Sequence, residues 1–208
     1  DIFAALPPID EHTKKGLRAC QIEAIENLEA SFRQGKRRAL MVLATGAGKT
    51  FTACLAAYRL LRYVPKIKRI LFLVDRNNLG RQAKNSFGDF SITENGDPFD
   101  KNYSVERILS AEKPSSAVVI ATIQRLFSLL KGETIEDVDD DGGFDPLEEM
   151  KVPENATLPP DFFDLIIIDE CHRSIYGNWR KVLEYFSSAR LIGLTATPIP
   201  ETLAFFDK

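Results

Sequence analysis

Ala44-Thr45-Gly46-Ala47-Gly48-Lys49-Thr50 follows the apolar run Leu40-Met41-Val42-Leu43 and leads into Phe51, Leu55, Tyr58 and Leu61 at helical spacing. A strand, a glycine-rich turn and a helix in that order form the setting that a phosphate loop requires. The glycines let the backbone curl until successive N–H groups and the positive end of the helix point at phosphate oxygens. Thr45, Gly46, Ala47 and Gly48 would form that cradle, the Lys49 ammonium would reach the β and γ phosphates, and the Thr50 hydroxyl would ligate Mg2+. The strict pattern has a glycine five positions before Gly48; this chain has Leu43 there, so the flanking strand and helix carry the assignment. ATP and Mg2+ are the expected ligands.

A second string, Asp169-Glu170-Cys171-His172, ends the continuous apolar run Leu165-Ile166-Ile167-Ile168. Such a run fits a central strand buried on both faces of a parallel sheet, and carboxylates at its C-terminal end face the ligand crevice. Asp169 can hold Mg2+ directly or through water, and Glu170 can orient and deprotonate the water that attacks a γ-phosphate. Taken alone, the acidic pair reads as a solvated turn; the phosphate loop upstream decides for the catalytic reading.

Five apolar runs recur: Ala39 to Leu43, Ile70 to Val74, Ala117 to Ala121, Leu165 to Ile168 and Leu191 to Leu194. Helical patterns lie between most of them, among them Arg76 to Phe87, Gln124 to Lys131 and Asn178 to Phe186. The alternation predicts an α/β fold with a mainly parallel sheet and helices on both faces. With 208 residues, 44% of them hydrophobic, the chain can bury a full core as one domain. Cys20, Cys54 and Cys171 form no CxxC pair and read as packing residues in a reducing, cytoplasmic setting. His12 and His172 have no metal-ligand spacing, and no apolar run is long enough to span a membrane.

The order of these motifs, with Leu194-Thr195-Ala196-Thr197-Pro198 after them, resembles the superfamily 2 helicases and translocases. Leu71 to Arg76, Ala121 to Leu126, and Asp169 to Ser174 with Tyr176, Gly177 and Trp179 look most like the motor subunit of type I restriction enzymes. The resemblance implies a P-loop RecA-like lobe over residues 17–208, preceded by an N-terminal linker at 1–16, with the second lobe and the nuclease domain outside this chain. It implies an ATP hydrolase coupled to translocation along double-stranded DNA, working with methylation and specificity subunits and with a second motor lobe. An isolated first lobe would turn over little ATP.

Carried over residue by residue, Arg18 and Gln21 match the segment whose glutamine reads adenine, a task suited to an amide that pairs a donor and an acceptor at once. Gln21 also fits the exposed start of a plain amphipathic helix bearing Ile22, Ile25, Leu28 and Phe32. His172, Thr195 and Thr197 match residues that couple the nucleotide site to the second lobe and the DNA; His172 also fits a satisfied hydrogen-bonding residue. Arg76, Thr122, Gln124 and Arg125 match the loops that grip the phosphodiester backbone, and on their own they read as surface polar groups. The net charge of −3 then requires a local positive track rather than a basic surface. Two other readings share these motifs: a repair or RNA helicase lobe of the DExH type, and a nucleotide-gated binding module without turnover.

Residues 132–161 fit no motif. The density of Asp and Glu, with Gly142-Gly143 and several prolines, predicts an inserted, solvated loop, with docking of a basic partner or repulsion of DNA as alternatives.

Overall fold

A computed structural model describes residues 2–133, 151–173 and 177–207. The elements are β1 (Arg38–Val42), β2 (Ile70–Val74), β3 (Val105–Arg107), β4 (Val118–Thr122), β5 (Leu165–Ile168) and β6 (Arg190–Thr195), with helices α1 (Glu11–Lys15), α2 (Ala19–Arg33), α3 (Lys49–Tyr63), α4 (Asn77–Asp89), α5 (Phe99–Asn102), α6 (Ile123–Lys131), α7 (Gly177–Tyr185) and α8 (Pro200–Phe206). The six strands form one sheet in the order β1-β6-β5-β2-β4-β3, and every pairing is parallel. Each of the five expected strands is present. The sixth, β3, is three half-buried residues at the sheet edge, too short for a periodic signal.

Strand alternation divides the core into two layers. Ile70, Phe72 and Val74 of β2 face one side with α2, α3, α4 and α5, while Leu71 and Leu73 face the other with α6, α7 and α8. Both faces are therefore covered, and β2, β4 and β5 are buried along their whole length. Helix α3 is buried almost all round, from Thr52 through Leu60, so its expected single apolar face is only part of its packed surface.

Several sequence expectations change in three dimensions. The stretch expected to be a linker places Phe3, Leu6 and Ile9 in the core, with the Phe3 and Phe32 rings 5.2 Å apart; three apolar residues spaced by three packed better than they could remain solvated. Cys20 is exposed, so it is not a packing residue, whereas Cys54 and Cys171 are buried. At the start of the acidic stretch, Gly132 ends α6 in the left-handed conformation (φ 71°). At its end, Leu158 is fully buried and the Thr157 N–H donates to Leu130 O at 3.0 Å, so that part is packed rather than solvated. Residues 134–150, which hold most of its acidic groups, lie outside the described residues, as do Ser174, Tyr176 and Lys208.

Candidate nucleotide site

The phosphate loop leaves β1 at its C-terminal end and enters α3. Gly46 and Gly48 take φ of 78° and 83°, a region in which a side chain is strained, and Gly48 caps the N-terminus of α3. The Thr52 hydroxyl donates to Gly48 O at 2.9 Å, which ties the first turn of α3 to the loop. Helix α2 holds the loop from the other side. Arg18 Nη1 donates to Gly46 O at 2.6 Å, and Gln21 Nε2 donates to Ala47 O at 3.1 Å. The Gln21 Oε1 atom accepts from the Arg18 N–H at 2.9 Å, closing the start of α2 on itself. Gln21 is 5% exposed, so it is not the exposed start of a plain helix; its amide is committed to the loop.

Across the crevice, Asp169 and Glu170 follow β5. Glu170 has φ 47°, the one left-handed non-glycine backbone among the described residues. Such a conformation costs of order 1–3 kcal/mol and persists where surrounding contacts hold it, commonly at functional sites. Here the Glu170 carboxylate lies 3.9 Å from Lys49 Nζ through Oε1 and 3.5 Å from His172 Nδ1 through Oε2. Burial first, and the Glu170 carboxylate second, push Asp169 above the ordinary carboxylate range, while the Glu170 N–H and Lys49 act against that rise. A divalent cation at this carboxylate would favour its charged form.

Strand β6 lies between β1 and β5 in the sheet and brings a hydroxyl between their loops. Thr195 is fully buried; its Oγ1 accepts from the Thr197 N–H at 3.2 Å and lies 3.0 Å from His172 Nδ1. Lys49, Glu170, His172 and Thr195 thus form one connected chain of contacts, from the phosphate loop to the loop after β6. Burial also pushes the Cys171 thiol up to about 12, which keeps it protonated and unreactive beside the two acids.

A nucleotide and its magnesium fit this arrangement. The loop offers left-handed glycines, a helix N-terminus and a lysine, and a Cβ at Gly48 would stand 2.6 Å from Gln21 Nε2, so only glycine leaves the cradle undisturbed. The Thr50 hydroxyl and the Asp169 carboxylate are hard oxygen donors. Among the described residues no group of three or more His, Cys, Asp or Glu side chains is placed to hold a metal ion.

The residues expected along DNA divide into two pairs. Arg76 occupies the N-cap position of α4 without a side-chain capping bond; its side chain is exposed, with Nε 3.8 Å from Asp75 Oδ2. Gln124 is half-buried at the start of α6, and its Oε1 finds no hydrogen-bond partner among the described residues. Thr122 and Arg125, by contrast, are 2% and 4% exposed. Their reading as surface polar groups is corrected: Thr122 Oγ1 caps α6 by accepting from Arg125 N–H at 3.3 Å, and Arg125 Nη1 donates to Ile108 O at 3.4 Å. An ion pair missed from sequence joins the two regions, Arg173 Nη1 to Asp75 Oδ2 at 3.2 Å, linking the turn after β5 to the end of β2. One basic residue and one acid 98 positions apart give no periodic signal.

The model of the family described as "Type III restriction enzyme, res subunit" matches residues 14–200, a span that holds every candidate residue from Arg18 to Thr197. The chain belongs to this family. Among curated relatives it is 37% identical over 196 residues to the type I restriction enzyme EcoAI endonuclease subunit of Escherichia coli, covering 91% of this chain and 20% of the relative. It is 31% identical to the EcoKI endonuclease subunit of Escherichia coli K12, covering 98% of this chain and 17% of that one. The chain thus spans about a fifth of the length of these curated relatives. Among solved structures, a fragment assigned as an HsdR subunit of a type I restriction enzyme from Vibrio vulnificus YJ016 matches at 28% identity and a TM-score of 0.58, over 100% of this chain and 31% of that chain. The UvsW helicase of bacteriophage T4, at 17% identity and a TM-score of 0.57 over 86% of this chain and 52% of that chain, shares the fold. The RecA-like α/β architecture expected from the motifs is therefore the architecture of this chain.

Proposed function

We propose that this restriction-family chain is the ATP-binding and hydrolysing first lobe of an ATP-dependent double-stranded DNA translocase. It would act in the cytoplasm with a second motor lobe and with methylation and specificity subunits. The observation that carries the reading is the convergence of Lys49 and Glu170 on one crevice, with His172 and Thr195 leading away from it.

In this reading ATP is the substrate, held by the backbone of Thr45 to Gly48 and by the Lys49 ammonium, with Arg18 and Gln21 bracing the loop; the second Nε2 hydrogen and the second Oε1 lone pair of the Gln21 amide are what remain for adenine. Magnesium, when bound by Thr50 and Asp169, supplies charge neutralisation to the phosphates. Glu170 orients the attacking water and accepts its proton at the carboxylate. Loss of the γ-phosphate alters what Glu170 contacts, and the His172–Thr195 hydrogen bond carries that change to Thr197 and the adjoining loop. An arginine supplied by a second lobe is typically worth about 10³ to 10⁵ in rate, so the 208-residue chain alone should hydrolyse ATP slowly. Lys49→Ala in the full-length polypeptide should abolish DNA-stimulated ATP hydrolysis and movement along duplex DNA while the fold, read by circular dichroism, stays intact. Glu170→Gln should bind ATP and fail to hydrolyse it. Retained movement in the Lys49 variant would refute the assigned role.

A further inference from the structure

Strand β1 ends the sheet, and among the described residues it pairs only with β6. The Leu191 N–H donates to Arg37 O at 2.9 Å and the Leu43 N–H donates to Thr195 O at 3.0 Å. The odd-numbered residues along β1 therefore serve β6, and the N–H and C=O groups of Arg38, Leu40 and Val42 point away from it. That edge is the floor of a groove of about 400 Å3, walled by Ala24 and Asn27 of α2 on one side and by Leu203 and Phe206 of α8 on the other. Val42 and Leu203 are 48% and 49% exposed, two of the three large apolar side chains left exposed among the described residues, and both line this groove. An open edge with apolar walls is a template for a further strand.

The hand of the crossovers says which strand belongs there. The connections from β1 to β2 through α3, and from β2 to β3 through α4, step towards the β3 edge with their helices on the face of Phe72. Those from β4 to β5 through α6, and from β5 to β6 through α7, step back towards β1 with their helices on the face of Leu71. All four share one hand, as crossovers between parallel strands do. Helix α8 leaves β6 on the face of Leu71, so the same hand carries the polypeptide past β1 to the open edge. The helix ends where a parallel neighbour of β1 has to begin: Arg38 Nη1 donates to Phe205 O at 2.9 Å, and Lys36 Nζ lies 3.9 Å from Asp207 Oδ1. We propose that the stretch of the full-length polypeptide directly after α8 docks in this groove as a strand parallel to β1. Its backbone would pair with Arg38, Leu40 and Val42, and its alternate side chains would cover Ala24 on one face and Leu203 on the other. It would leave the sheet beside Leu43 and the phosphate loop, and so deliver the polypeptide that follows to the nucleotide crevice. The pairing needs neither ATP nor DNA, so it goes beyond the motor reading and can fail without it.

The test is native-state amide hydrogen exchange, resolved at single residues, in the full-length polypeptide purified without other subunits. The N–H groups of Leu40 and Val42 should exchange roughly a thousandfold or more slowly than in an open chain, and about as slowly as that of Met41, which faces β6. The protection should not change over about a hundredfold dilution, because the strand is supplied within the same molecule. Replacing about a dozen residues after α8 with a Gly-Ser stretch, enough for a loop and a strand, should return Leu40 and Val42 to fast exchange. Met41 should stay protected in that variant, which shows that the lobe is still folded. Fast exchange at Leu40 and Val42 in the parent overturns the proposal. Protection that disappears on dilution overturns it in favour of a second copy on the edge. Protection that persists in the Gly-Ser variant overturns it in favour of another segment of the polypeptide.

Discussion

Gly48→Ala tests whether the phosphate loop is held in shape by helix α2. Gly48 has φ 83°, and an L-residue there carries about 1–2 kcal/mol of left-handed strain. The new Cβ would also stand 2.6 Å from Gln21 Nε2. That amide is the far end of a flexible side chain, but it is committed at both atoms: Nε2 to Ala47 O at 3.1 Å and Oε1 to the Arg18 N–H at 2.9 Å. Moving it aside forfeits at least one hydrogen bond, worth a net of about 0.5–1.5 kcal/mol. The sum is about 1.5–3.5 kcal/mol, which for a domain of this size lowers the melting temperature by about 3–14 °C. Calorimetry of the 208-residue chain reads the shift directly. The Gln21→Ala background separates the two parts: there the cost of Gly48→Ala should fall by about 1 kcal/mol and keep its backbone share. A Gly48→Ala protein that melts within about 1 °C of the parent would refute the argument. Equal costs in both backgrounds would show that Gln21 does not constrain the loop.

Two further outcomes follow from burial. Glu29 and Arg59 are each 4% exposed and joined by hydrogen bonds of 2.6 and 3.1 Å, with Arg59 also donating to Pro7 O. Glu29→Ala leaves the guanidinium buried without its carboxylate and should cost about 3–5 kcal/mol in urea unfolding, whereas a loss under about 1 kcal/mol would mean that water reaches Arg59. A maleimide should label Cys20 in the native chain and reach Cys54 and Cys171 only after unfolding, since burial raises both of those thiols; modification of Cys171 at the rate of Cys20, followed by mass spectrometry, would contradict its packing.

What the sequence makes legible here is local. Leu40 to Leu43 before the glycine loop, and Leu165 to Ile168 before Asp169, announce strands because an uninterrupted apolar run suits a parallel sheet covered on both faces. The residues just past those runs then stand at strand ends, where ligand crevices form, and so Lys49, Thr50, Asp169 and Glu170 can be named before any coordinates. Three-residue β3 and four-residue α5 are too short to show a period, and the apolar spacing of Phe3, Leu6 and Ile9 sits in a segment whose polar neighbours mask it.

The contacts that make a site of those residues depend on something else. Gln21 and Ala47 are 26 positions apart, Glu29 and Arg59 are 30 apart, and His172 and Thr195 are 23 apart. No periodicity links such pairs; strand order does. Because β6 inserts between β1 and β5, the hydroxyl of Thr195 falls between the loop that carries Lys49 and the turn that carries Glu170 and His172. In the opposite part of the sheet the order β2-β4-β3 sets the strand ends that lead into Arg76 and Gln124 next to each other, although β3 lies between them in the chain. The same rule that hid these groupings thus explains both, since in a parallel sheet the side chains at neighbouring strand ends become one surface whatever their distance in sequence.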